Sequence, residues 1–88
     1  MEVKVATRQC QDHRGSPRRF HYFLTIDQEE TPRFFCENYG VRVSEEGGDE
    51  TAIPAITTSA ERIDELLTLL VDNLVSPAGL DDVVADWL

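Results

Sequence analysis

The sequence predicts an α+β domain, a four-stranded antiparallel meander followed by two C-terminal helices packed on one face of the sheet. Three observations carry this. Apolar and polar residues alternate with period two in several stretches of the first two thirds of the chain, as half-buried strands do. From Ile63 the period becomes helical, through Ile63, Leu66, Leu67, Leu70 and Leu74. Strands come first and helices last, the order of an α+β fold. At 88 residues the chain has room for one domain, residues 1–88, with a modest core.

The first strand spans Glu2 to Arg8, with Val3, Val5 and Thr7 on one side and Lys4, Ala6 and Arg8 on the other. Gln11 to Arg19 holds Gly15 and Pro17, has no apolar period, and reads as a loop. In the second strand Phe20, Tyr22, Leu24 and Ile26 alternate with His21, Phe23 and Thr25, and Asp27 to Pro32 reads as the next turn. The third strand runs from about Arg33 to Ser44; Glu37 shares the parity of Phe35, Tyr39, Val41 and Val43, which a bulge near Asn38-Tyr39-Gly40 would resolve. A turn at Glu45–Asp49 leads to the fourth strand, Thr51 to Thr57, which Pro54 confines to a sheet edge.

The first helix opens with Thr58 and Glu61 in capping-box spacing, Ser59 being the alternative cap. Leu69 and Val71 flank its apolar stripe and widen it beyond what one flat partner can cover. Asn73 suits a left-handed helix end, and Ser76-Pro77 starts the second helix, whose apolar set is Leu80, Val83, Val84, Trp87 and Leu88. Burying that set is expected to make the second helix integral to the fold.

Charge is unevenly divided. The net charge is −9, yet up to Ser44 seven bases stand against six acids, and from Glu45 onward eleven acids face only Arg62. This asymmetry predicts a bipolar molecule and argues against the helical face as a nucleic-acid surface. No apolar run is long enough to span a bilayer and no signal-peptide layout is present, so the expected location is the cytoplasm. Cys10 and Cys36 are expected to be reduced thiols.

The inner sheet face is expected to carry Val3, Val5, Phe20, Tyr22, Leu24, Ile26, Tyr39, Val41 and Val43. The outer face then gathers bases and aromatics, among them Arg8, His21, Phe23, Phe34 and Arg42. With Leu69 on the first helix, these are the candidate interaction residues.

Other chemistry is weakly signalled. Cys10 and His13, with Cys36 or His21, lack the paired spacing of a metal site; Cys36 and His21 lack an oxyanion hole; Arg14, Arg18 and Arg19 lack the strand-loop-helix context of a phosphate loop. No catalytic residue, metal or cofactor is expected. The leading function is a non-catalytic regulatory or adaptor module acting through protein contacts, with a homodimer among its forms. The alternative is nucleic-acid or anionic-ligand binding on the basic and aromatic outer face.

The run Ile56-Thr57-Thr58-Ser59, the leucine-rich helix, and Asn73 through Pro77 to Asp86-Trp87-Leu88 resemble the ending of an uncharacterised family of short Gram-positive bacterial proteins, a domain of unknown function. Tyr39-Gly40-Val41 is similar to that family's middle strand. The resemblance, chiefly over the C-terminal third, implies a bacterial cytosolic protein ending at Leu88 and carries no activity with it.

Overall fold

Four alternating segments make one sheet in which sequence order and spatial order coincide. The computed structural model describes residues 1–88: strands β1 (Glu2–Gln11), β2 (Pro17–Glu30), β3 (Phe35–Glu45) and β4 (Glu50–Thr57), helix α1 (Ala60–Asp72), a 3-10 turn (Pro77–Gly79) and helix α2 (Leu80–Trp87). The strand order is β1-β2-β3-β4, every pair antiparallel. Both helices cover one face, where Phe20, Tyr22, Val41 and Val43 are buried with Ile63, Leu66, Leu70, Leu80 and Val84. This is the predicted meander with two C-terminal helices.

Two irregularities decide which side chains face the helices. In β1 the register shifts between Lys4 and Ala6, so Val5 is an extra residue and the parity beyond it reverses. Ala6 and Cys10 therefore pack against the core, and Arg8 joins them on the helical side. Unbroken alternation puts Val3 and Val5 inside and Ala6 and Arg8 outside. The bulge corrects this for Ala6 and Arg8; Val3, paired with Leu24, stays on the helical side, and Val3 and Val5 lie at its margin, each 44% exposed.

The second irregularity lies between β3 and β4, where Tyr39 pairs with Thr57 and Val41 with Ile53. Pro54, Ala55 and Ile56 thus stand opposite Gly40, with Ala55 at φ 54°. The bulge expected in the third strand is absent, since the β2–β3 register runs unbroken from Phe20–Glu45 to Glu30–Phe35; the extra residues belong to β4. Gly40 is required there: a Cβ would collide with the Ile53 carbonyl oxygen and stand 2.7 Å from Pro54 Cα and Thr25 Oγ1.

Helix α1 is capped by Ser59, whose Oγ accepts from the Arg62 N–H at 3.2 Å. Thr58 is exposed and is not the cap, because Thr57 Oγ1 accepts from the Ser59 N–H at 3.1 Å and fixes Ser59 at the helix mouth. At the other end Asn73 has φ −98° and Leu74 is the left-handed residue, φ 52°. Val75 N–H donates to the Leu70 carbonyl (3.0 Å) and Leu74 N–H to that of Val71 (3.3 Å), the two bonds of a Schellman motif. A leucine occupies this glycine-favoured position while its side chain packs on the core.

Two residues of the sheet tie down this helix end. Arg8 Nη1 donates to the Val71 carbonyl at 2.9 Å, placing a cation at the negative end of the helix. The fully buried Tyr22 hydroxyl donates to the Val75 carbonyl at 3.0 Å. The chain then makes its 3-10 turn from Pro77, where continuous α-helix was expected, before α2 begins. Leu80 and Val84 are buried, Trp87 is half-buried with Arg62 4.3 Å above its ring, and Leu88 lies past the helix, 75% exposed and outside the apolar face expected for it.

Three measurements test this account. In urea titrations Ser59→Ala is expected to lose about 1 kcal/mol of stability while Thr58→Ala loses almost none. Gly40→Ala is expected to cost about 3 kcal/mol, because two of the three obstructing atoms are backbone and cannot rotate away. Desolvation raises the Tyr22 pKa from its ordinary 10.0 to about 12. Its contribution is complete below the unfolded value of 10.0 and is lost as pH rises toward about 12. Stability should therefore fall by about 2–3 kcal/mol over that interval, and Tyr22→Phe should remove this component of the fall.

Candidate functional site

Backbone pairing of all four strands brings a single cluster together at the centre of the outer face. Lys4, Phe23, Arg42 and Ala52 stand in register across β1 to β4. The Arg42 guanidinium lies over the Phe23 ring at 3.9 Å. Its Nε and Nη2 donate to the two carboxylate oxygens of Glu2 at 2.8 and 2.7 Å, and its Nη1 donates to Glu50 at 2.8 Å. The bonds from Arg42 hold the Glu2 carboxyl below the usual carboxylate range, and the bond to Glu2 raises the Arg42 pKa. One guanidinium thus clips β1, β3 and β4 across the phenyl ring of β2. Beside it, His21 Nδ1 is 3.2 Å from Thr7 Oγ1, and Nε2 is 3.7 Å from Glu46 Oε2.

The six candidate interaction residues do not form one surface. His21, Phe23 and Arg42 share the outer face. Arg8 lies on the helical side, through the β1 bulge, and is bonded to α1. Leu69 is 37% exposed on α1. Phe34 is in the β2–β3 turn, and Arg42 lies seven positions along β3 from Phe35, about 23 Å at 3.3 Å per residue.

That turn caps the most exposed element of the molecule. Beyond the Ile26–Tyr39 pair, β2 and β3 continue as a two-stranded ribbon through Asp27–Asn38, Glu29–Cys36 and Glu30–Phe35, with neither β1 nor β4 alongside. Thr31 shapes the tip: its N–H donates to the Phe34 carbonyl at 2.8 Å and its Oγ1 accepts from the Phe34 N–H at 3.1 Å. Phe34 and Phe35 are 59% and 55% exposed, and the molecule is 55 Å long but only 24 by 17 Å across. Asp27 to Pro32, expected as a turn, is mostly strand, and the turn proper falls at Thr31–Phe34.

The remaining polar groups are dispersed. Cys36 pairs with Glu29 and His21 with Ser44, eight positions apart along β2, so they do not meet. Cys10 packs against the core while His13 is exposed in the first turn. No three metal-liganding side chains cluster. In the arginine-rich segment Arg18 is paired with Glu45 at 2.5 Å, a bond that lowers the Glu45 pKa, and Arg19 lies 3.4 Å from Glu46. These two arginines, Gln9 and Glu46 line an open polar cleft of about 310 Å³. No helix is long and apolar enough to cross a membrane.

The model of one protein family, described as a family of unknown function (DUF6514), matches residues 1–88. The chain belongs to this family. The match takes in the whole sheet as well as the helices, which extends the resemblance beyond the C-terminal third. The comparisons with curated proteins and with solved structures returned no match.

Within this family member, sequence reasoning missed Phe35 and Arg33 as tip residues. The signal was Phe34-Phe35 directly after Thr31-Pro32, two aromatics beside a turn. The polar run Asp27–Glu30 concealed it, because a strand uncovered on both faces has no apolar alternation to read.

Proposed function

We propose that this chain is a non-catalytic contact module, regulatory or adaptor in role, which works through the projecting β2–β3 hairpin. The observation that carries the reading is the pair Phe34 and Phe35, more than half exposed at the end of a hydrogen-bonded ribbon. Aromatic side chains on an ordered support make strong anchors, since they bring large contact area with little rotamer freedom to lose. Nothing in the fold of a single chain uses them. The free thiols of Cys10 and Cys36 suit a cytosolic setting.

An anionic ligand or nucleic acid on the outer face is less well supported. Arg42 is already shared between two carboxylates, and Arg8 lies on the opposite face. The test is affinity capture from the source cell with the intact chain and with Phe34→Ser/Phe35→Ser as baits. The double variant is expected to melt with the parent and to lose about 2 kcal/mol or more of binding free energy for its partner. Undiminished capture by the variant would exclude the hairpin tip as the working surface.

A further inference from the structure

The chain that carries the aromatic tip also carries a socket of matching chemistry. Between β1 and α1 runs a groove of about 260 Å³, its apolar surface formed by Val5, Ala6, Leu67 and Val71 and its helical rim by Asp64 and Asp72. The β1 bulge creates it by turning Val5 toward α1 beside Ala6. Neither rim aspartate has a salt-bridge partner in the monomer.

We propose that the hairpin tip of one copy docks in the β1–α1 groove of a second copy of this chain. The proposal rests on the contact-module reading and names the partner of its tip. Charge complementarity selects that occupant. Arg33, next to Phe34, makes no ion pair within its own chain and is the only base of the ribbon. It suits the rim of Asp64 and Asp72. One tip therefore presents a cation and two phenyl rings to a groove presenting two anions and an apolar floor.

The tip cannot fill the groove of its own molecule. Ala6 pairs with Tyr22 and Phe35 with Glu30, eight residues apart on one continuous strand, about 26 Å at 3.3 Å per residue. Two copies related by a two-fold axis would seat both tips at once, and the pair would close as a dimer instead of growing into a chain.

Sedimentation equilibrium of the full chain, from micromolar to millimolar concentration, tests this. The expected mass at the upper end is roughly twice the 10.0 kDa of one chain, and Phe34→Asp/Phe35→Asp should return it to one. Arg33→Glu alone, and Asp64→Arg/Asp72→Arg alone, should each weaken self-association about tenfold or more, since each sets like charges together in both contacts. Mixing those two variants should restore a dimer, because a mixed pair has opposite charges in both contacts. Thermal melts matching the parent would exclude unfolding as the cause.

A wild-type chain that stays at one mass throughout, or a dimer indifferent to these substitutions, would overturn the proposal. If the wild type is monomeric yet the serine double variant loses captured protein, the second copy is the wrong partner and the contact-module reading stands. If tip substitutions change neither mass nor capture, both fall.

Discussion

A mismatch of lengths governs this molecule. The strand β2 has 14 residues and α1 has 13, but a strand rises more than twice as far per residue. β2 therefore extends about 46 Å and α1 about 20 Å. Two short helices can keep only part of such a sheet dry, and they do so around Tyr22 and Val41. Whatever lies beyond must tolerate water on both faces, so β2 ends in the polar run Asp27–Glu30 and Glu37 can share the parity of core residues without penalty. The projecting ribbon is the remainder of a sheet longer than its roof.

The basic residues serve architecture more than attraction of an anion. Arg42 joins strands, Arg8 holds a helix end, Arg18 and Arg19 pair with adjacent glutamates, and Arg62 lies over Trp87. Exposed ion pairs add little stability singly. Their larger effect is orientation: each fixes the place of one element relative to another. With these cations engaged, the net charge of −9 rests on carboxylates without a basic partner.

The order of elements was legible in the sequence because periodicity reports burial, and the central parts of β2, β3 and α1 are buried on one side. Legibility ended where burial ended. Asp27–Glu30 lacks alternation because no face is covered, and the β1 parity was misread because one added residue, Val5, leaves no compositional mark. Ser59 was the better cap than Thr58 for a reason found only in space, the bond from Ser59 N–H to Thr57 Oγ1. Leu74 in the left-handed region was equally hidden, since intrinsic preference favours Asn73 there and tertiary packing of the leucine prevailed. The candidate site was half visible: Phe34 could be named, while its partners on the tip depended on where the hairpin turned.

The two interruptions of the sheet have a consequence for crowded solutions. An open sheet ends in two rows of unpaired backbone groups, which can recruit other chains edge to edge and template fibrils. Here each border is broken partway along, β1 at Val5 and β4 at Pro54-Ala55, where proline lacks a donor and Ala55 has φ 54°. A foreign strand could match only the few residues on either side of a kink before losing register. The protein can thus keep aromatic rings in water on its hairpin while denying neighbours a straight border along which to polymerise.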